Sequence, residues 1–543
     1  MKLNLNQQVK LTGISVMLLV LVFFCFSFWG TDLNIKKVLK QTISFVIVNA
    51  AFVSLFFQIP IIRIRNVLVF AFNAVLLCLC FIKFSFAYLY NSEITESTWF
   101  IIFETNTSEV AEYIETYFSS RIFFLWITFL LLGLFFFKTF FLNQKVWLKN
   151  LRVNNLSRFV LATITVLYFF QTKERFFDYD ILQQFYSSIK EYRLYKSELN
   201  NSLSHSFVSS KQSNTICSDN SSPQIHVVIV GESLTNHHMS LYGYSRKTNP
   251  RLEKIKEELL VFENVISPHA YTIESLQKIL TLSCHEKQNP KENFSVIQLA
   301  NEVNYDTYWI SNQKPVGVWE NITTITANAA KKKVWLEMDN FRSRIEDGEL
   351  LPVLQEKLNE LNSRKVIFVH LMGVHSTYYK RYPEDFNYFK GVPPKSFSKT
   401  QEAFQRINDY DNAVRYNDYV IDAIISMVKS KNVSSTVTYF SDHGEEVYES
   451  KNFVGHNEDV GTSAMYEIPM LFWFSEKYLV QNNLTLDGLQ GYQQRPYVLE
   501  DFPHTFADML KIKSNRINFE KSILSPNFIY KERHVGSGKL YQP

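Results

Sequence analysis

Cysteine is scarce in this 543-residue chain: there are five, and Cys25, Cys78 and Cys80 fall inside long apolar runs, where thiols pack as small apolar groups. Only Cys217 and Cys284 stand elsewhere, so at most one intrachain disulfide is available outside those runs and a disulfide scaffold is excluded. Net charge is also small, +4 from 56 basic and 52 acidic side chains, and no internal repeat is present. The near-balance hides a division. Residues 1–170 carry 14 basic and 7 acidic side chains, whereas residues 171–543 carry 42 and 45. The larger, slightly acidic part does not have the charge of a nucleic-acid binder, and a hydrophobic content of 46% excludes a disordered chain. A membrane anchor joined to a soluble domain fits this pattern.

Charge is missing altogether from Leu11–Gly30 and Gln41–Ile62, each at or above the roughly 20 residues that cross a bilayer core. Val67–Tyr90 and Ile122–Leu142 each hold one lysine, Lys83 and Lys138, whose long stem carries the ammonium toward the interface or a polar cavity. A fifth span is expected near Val153–Gln171, beyond Arg158, giving an α-helical transmembrane domain over residues 1–171. Basic loops stay in the cytoplasm. Lys2 and Lys10, Arg63 and Arg65, and Lys145, Lys149 and Arg152 then share one side, although Lys36, Lys37 and Lys40 fall on the other. Residues 91–120 hold no Lys or Arg but six glutamates, Glu93, Glu96, Glu104, Glu109, Glu112 and Glu115, and fall on the exported side. Five spans place everything after about residue 172 outside the cytoplasm, with the uncleaved first span in place of a signal peptide.

Residues 172–222 read as a linker that starts with charged, helix-permissive sequence suited to interfacial helices and ends in a Ser/Asn-rich stretch. From residue 223 the pattern changes. IHVVIV, TYWIS, KVIFVHL, TVTYFS and IPMLFWF predict strands, and Pro250–Leu260, Leu351–Leu361, Ala413–Lys429 and Leu499–Ile512 predict helices. Such alternation implies an α/β domain with a largely parallel sheet, whose chemistry gathers at the C-terminal ends of the strands.

Three strand exits carry that chemistry: Glu232 after VVIVG, Asp442 and His443 after TYFS, and His370 and His375 in IFVHLMGVH. Carboxylates and imidazoles are suitable ligands for zinc. Each motif taken singly also reads as a loop residue or helix cap. Thr272, before an amphipathic run, places a hydroxyl where a helix dipole and a bound metal would lower its pKa, although threonine there is also an ordinary N-cap.

GESLTNHHMSLYGYSRKTNP, SPHAYTIESL, VHLMGVHSTYYKRYP, YDNAVRYNDY and FSDHGEE followed by GH and IPMLFWFS resemble the phosphoethanolamine transferases of the alkaline phosphatase and sulfatase superfamily. The resemblance runs over essentially the whole chain, in order and spacing, the five-span anchor included. It implies a sulfatase-like catalytic domain over residues 223–543, with Glu232, Thr272, Asp442 and His443 as the zinc site and Thr272 as nucleophile; one zinc ion is expected and a second is compatible. His370, His375 and His456 match histidines lining the family's donor and acceptor pocket. ETNTSE matches a segment that helps bind lipid, giving Thr105 and Glu109. Three departures stand out: Ile101 replaces an asparagine found in some members, disulfides are few, and YWISNQKP replaces a Trp-Arg-Asp-Asn type segment, so that Asn312 and Gln313 become candidates for contacting a different acceptor.

The resemblance implies an enzyme of the bacterial inner membrane with its catalytic domain in the periplasm. It would take phosphoethanolamine from phosphatidylethanolamine to lipid A or a lipopolysaccharide core sugar through a covalent threonine ester. Two other readings stay open: a phosphoglycerol transferase of the same superfamily, and a membrane protein that binds a ligand without turnover.

Overall fold

The computed structural model describes residues 61–90, 119–137, 181–190, 215–217, 223–286, 294–313, 322–336, 346–360 and 364–542, with a few further positions between residues 40 and 115 and at 192–193. Two compact units are formed, one from residues 1–105 and 117–195, the other from residues 106–116 and 196–543.

In the first unit, α1 (Ile62–Tyr90) and α2 (Ser120–Phe137) correspond to the third and fourth expected spans. Among the described residues one helix, Phe70–Leu89, is long and apolar enough to cross a membrane, and a shorter apolar one covers Ile122–Leu134. The first and fifth expected spans, and most of the second, lie outside the described residues. α1 and α2 meet through aromatic edges, with Phe129 centred 5.8 Å from Phe81 and 5.9 Å from Phe84. Lys83 is buried and donates to Gln41 Oε1 at 3.0 Å.

The second unit is built on a seven-stranded mixed sheet. Its strands are β1 (Gln224–Gly231), β2 (Leu259–Phe262), β3 (Asp306–Ser311), β4 (Lys332–Trp335), β5 (Arg364–His370), β6 (Ser434–Ser441) and β7 (Met470–Phe474), in the spatial order β2-β7-β6-β1-β5-β3-β4. β6, β1, β5, β3 and β4 run parallel, whereas β7 is antiparallel to both β6 and β2. β1 and β6 are buried at every residue; β1 accordingly reads as a near-continuous apolar run, whereas β6, SSTVTYFS, buries Ser and Thr side chains among its apolar ones. Helices α3 (Thr272–Leu280), α4 (Leu350–Asn359), α5 (Gln401–Ser430) and α6 (Phe502–Met509) accompany the sheet.

Two sequence expectations give way to tertiary contacts. The helix expected at 250–260 is a 3-10 turn over Leu252–Glu258 that breaks at Ile255, followed by β2. Buried Asp418 of α5 accepts both the Arg251 and Leu252 N–H groups at 3.0 Å, holding the turn in place while LLVF pairs with β7. α5 also begins twelve residues earlier than the periodicity suggests, capped by Thr400, whose hydroxyl accepts from Ala403 N. At the end of the linker, Ile216–Cys217 pairs with Ile512–Lys513. No disulfide joins Cys217 to Cys284; Cys217 Sγ instead lies 3.1 Å from Arg364 Nη2 and 3.4 Å from Leu510 O.

Buried charge ties the segment after β1 to its neighbours. His237 bridges Glu449 at 2.7 Å and Glu467 at 2.6 Å, and His238 meets Asp411 of α5 at 2.6 Å, which also takes Arg246 at 2.7 Å. Burial works against charge on both imidazoles, but these carboxylates outweigh it and push His237 up to about 10 and His238 up to about 9. Both folded values exceed the unfolded one, so the stabilisation is complete below about pH 6.5 and is lost as pH rises through 9 to 10. The melting temperature of the second unit is therefore expected to fall between about pH 7 and pH 10, and His238→Gln should flatten that slope in a pH series of thermal melts.

Candidate active site

Four adjacent parallel strands, β6, β1, β5 and β3, deliver their C-terminal ends to one place. Glu232 follows β1 directly, Asp442 and His443 follow β6, His370 closes β5, and Asn312 and Gln313 follow β3. Thr272 is the first residue of α3. Its Oγ1 lies 3.1 Å from Glu232 Oε1 and 3.2 Å from His443 Nε2. His443 Nε2 is in turn 3.2 Å from Glu232 Oε1 and 3.6 Å from Asp442 Oδ2. Glu232, Asp442 and His443 are all buried.

The surrounding backbone holds this group in register. Ser233 takes a left-handed conformation at φ 57°, and its N–H donates to Asp442 Oδ1 at 3.1 Å while its hydroxyl donates to Glu232 Oε1 at 2.9 Å. Tyr410 of α5 latches the same loop by donating to Ser233 O at 2.8 Å and accepting from Thr235 N at 3.0 Å. Ser275, one turn into α3, donates to Asp442 O at 2.5 Å and so seats the Thr272 end of the helix over the carboxylates. Gly373, at φ +57°, rides against Glu232, where an added Cβ would stand 2.7 Å from the carbonyl oxygen and 2.8 Å from the nitrogen. Gly444 is equally confined, with Ala464 O 2.1 Å from the position of a Cβ.

Electrostatics here are those of two carboxylates forced together. Burial and the neighbouring Glu232 push Asp442 well above the carboxylate range. Burial pulls Glu232 the same way, but the hydrogen bond and charge of His443 outweigh it and hold Glu232 well below that range. Burial opposes a proton on His443, yet Asp442 and Glu232 push it up to about 10. Gly444 O lies 2.9 Å from His443 Nδ1 and takes the proton there, leaving Nε2 as the nitrogen that faces Thr272 and the acids. Asp442 Oδ2 is buried without a hydrogen-bond partner, and one ligand atom from each of Glu232, Asp442 and His443 lies within 4.8 Å of the others. An orphaned carboxylate oxygen, a second acid, an imidazole nitrogen and a hydroxyl make a donor set that fits zinc.

The histidines at the rim differ from one another. His456 Nδ1 is 2.7 Å from Glu445 Oε2, and its ring lies 4.2 Å from that of His443. His443, Glu445 and His456 form a second cluster within 4.8 Å. His375 is half-buried in the turn after β5, with Ser376 Oγ at 3.3 Å from its Nδ1. His370 is buried against Trp309, its Nδ1 3.0 Å from Ser311 Oγ, and burial pushes it down to about 4, so it is neutral and walled in by the sheet. Gln313 Nε2 reaches Glu232 Oε2 at 3.2 Å and Leu371 O at 2.8 Å. Asn312 turns to buried Asp347 at 2.9 Å, and Asp347 also accepts Met372 N and Gly373 N at 2.8 Å each. Thr105 and Glu109 lie outside the described residues. In the same loop Glu115 pairs with Lys380 at 2.6 Å and takes the Tyr379 hydroxyl. Sequence reading assigns no role to Ser233, Ser275 and Tyr410, although each stands inside a quoted motif, and Asp347 stands in none of them.

Residues 224–512 match the sulfatase family. Over 473 residues the chain is 32% identical to the phosphoethanolamine transferase EptC of Escherichia coli strain K12, a match covering 83% of this chain and 81% of that protein. It is 30% identical to the phosphoethanolamine transferase CptA of Salmonella typhimurium strain LT2 over 83% and 81% of the two chains. The chain belongs to the phosphoethanolamine transferases of the sulfatase family. Among solved structures, the zinc complex of the C-terminal periplasmic domain of EcEptC from Escherichia coli superposes with a TM-score of 0.57 at 32% identity, over 60% of this chain and 92% of that one. The integral membrane lipooligosaccharide phosphoethanolamine transferase A from Neisseria meningitidis is similar in fold, with a TM-score of 0.67 at 19% identity over 96% and 98% of the chains.

Filling such a site with a cation relieves the repulsion between its acids and displaces their protons. Adding zinc to metal-stripped protein is expected to raise the melting temperature, more at about pH 8 than at about pH 6. Asp442→Asn should abolish most of that rise.

Proposed function

We propose that this protein transfers phosphoethanolamine from phosphatidylethanolamine to a cell-envelope acceptor, lipid A or a lipopolysaccharide core sugar, by two displacements through Thr272. The observation that carries the reading is the position of Thr272: first residue of α3, with its hydroxyl oxygen 3.1 Å from Glu232 and 3.2 Å from His443. Zinc held by Glu232, Asp442, His443 and Thr272 supplies the positive charge that favours a deprotonated hydroxyl at neutral pH.

Thr272 Oγ1 attacks phosphorus, the bond from phosphorus to the diacylglycerol oxygen breaks, and diacylglycerol leaves with a proton. The acceptor oxygen then attacks the same phosphorus from the opposite side and restores the Thr272 hydroxyl. Both half-reactions use one phosphoryl position, so a single set of oriented groups serves twice. His375 and His456, at the open side, bind phosphoryl oxygens or carry the protons. Gln313 holds Glu232 in place and leaves Asn312 to shape the turn that presents His375. Thr105 and Glu109 of the exported acidic loop, with interfacial helices after residue 172, meet the lipid headgroup at the membrane surface. In this reading the chain is a multi-pass protein of a bacterial inner membrane with its catalytic unit in the periplasm, and a donor that resides in the bilayer explains why the catalytic unit is anchored.

Thr272→Ala is expected to lower transfer by at least about 1000-fold, the scale set by loss of a nucleophile. Diacylglycerol release from phosphatidylethanolamine and from phosphatidylglycerol, measured side by side in the full-length protein, separates the donors. Release from phosphatidylglycerol alone would replace this reading with a phosphoglycerol transferase, and release from neither would leave a binding role.

A further inference from the structure

The entry to α3 is held from outside the helix. Its N-cap residue is Tyr271, which makes no side-chain cap hydrogen bond, so the short polar cap that usually fixes the first turn is missing. Glu458, from a different loop, holds the residues just ahead of the helix instead. One of its oxygens, Oε1, accepts from His269 Nδ1 at 2.7 Å and from Ala270 N at 3.3 Å, and its own N–H donates to Tyr271 OH at 3.3 Å. Three consecutive residues ahead of Thr272 thus meet one side chain and its backbone. The other oxygen, Oε2, faces Gly536 of the C-terminal hairpin, at φ +58°, where an added Cβ would stand 2.9 Å away. Gly536 in turn donates its N–H to Pro268 O at 2.9 Å and accepts from His285 Nε2 at 3.0 Å. His269 and His285 stack at 5.4 Å between these contacts.

Glu458 is two residues from His456, on a turn that Asn457 closes by accepting from Asp459 N at 2.9 Å and Val460 N at 3.1 Å. The Tyr271 ring lies 6.0 Å from that of His456. Glu458 thus links the segment that leads into Thr272 to the turn that bears His456. We propose that Glu458 is a positioning residue, bracing residues 269–271 against the His456 turn so that Thr272 and His456 keep a fixed separation; this rests on Thr272 being the nucleophile. Glu458 touches neither the metal-type ligands nor Thr272, so its effect is exerted through the backbone. A displacement of the nucleophile by about 1 Å is enough to cost on the order of 100-fold in rate.

The test uses the full-length protein in lipid nanodiscs as wild type, Glu458→Ala, Glu458→Gln and Glu458→Asp. Four quantities are read: kcat and KM for diacylglycerol release, bound zinc, melting temperature, and amide exchange across residues 268–276. Glu458→Ala is expected to lower kcat about 10- to 100-fold, with KM and zinc content within about twofold of wild type and faster exchange at 268–276. Glu458→Gln, which keeps an acceptor oxygen for His269 and Ala270, should recover kcat to within about threefold. Glu458→Asp, one methylene shorter, should not recover it, and it replaces the alanine variant if that protein does not melt cooperatively. Wild-type kcat in the alanine variant, or a kcat loss that glutamine does not rescue, overturns the proposal. If wild type releases diacylglycerol from no lipid, the assigned reaction fails and exchange alone decides the brace: faster exchange sustains it and unchanged exchange overturns it.

Discussion

Two buried carboxylates that share one pocket set the terms for the catalytic unit. Glu232 and Asp442 both reach toward His443 Nε2, at 3.2 Å and 3.6 Å, in surroundings where like charges repel far more strongly than in water. The protein answers with a proton on His443 and with Asp442 pushed upward. A divalent cation is the other answer, and the one that leaves Thr272 beside concentrated positive charge. Phosphoryl transfer asks for little besides such charge and fixed positions, and the proposed route through Thr272 draws on both.

The scaffold explains how so strained a group persists. Parallel strands buried on both faces bring Glu232 and Asp442 within reach from neighbouring β1 and β6, and Ser275 brings the helix that bears Thr272 to the same carbonyl-lined edge. Glycine at 373 and 444 lets backbone pass where any side chain would collide. Asp347, Asn312 and Tyr410 hold the turns rather than the reactants. Order near the site therefore depends on interactions that cross between strand exits, and few are local in sequence.

That division decides what the sequence reveals. The strands that carry the site are legible from the apolar run of β1 and the β-branched and aromatic residues of TVTYF in β6, and VVIVGES and TYFSDHGEE place their acids at the exits. The start of α3 at Thr272 was legible from amphipathic spacing. The antiparallel direction of β7 and the strand character of LLVF were not, because pairing partners more than 200 residues away in sequence, and the buried Asp418 cap, override local pattern. Asn312 is a candidate acceptor contact because YWISNQKP departs from the family's segment, and its bond to buried Asp347, which stands 35 residues on in the chain, is visible only in the fold. The partner of buried Lys83, Gln41, stands 42 residues away in the chain, so hydropathy carries no sign of it.

The proposed route requires Thr272 to become covalently loaded with the lipid headgroup. Intact-mass spectrometry with peptide mapping of the zinc-loaded, full-length protein, quenched after mixing with phosphatidylethanolamine in the absence of acceptor, tests it most directly. A phosphoethanolamine ester mapped to Thr272, absent from Thr272→Ala, is the predicted result. Diacylglycerol release without any adduct at Thr272, or an adduct on another residue, would contradict the account.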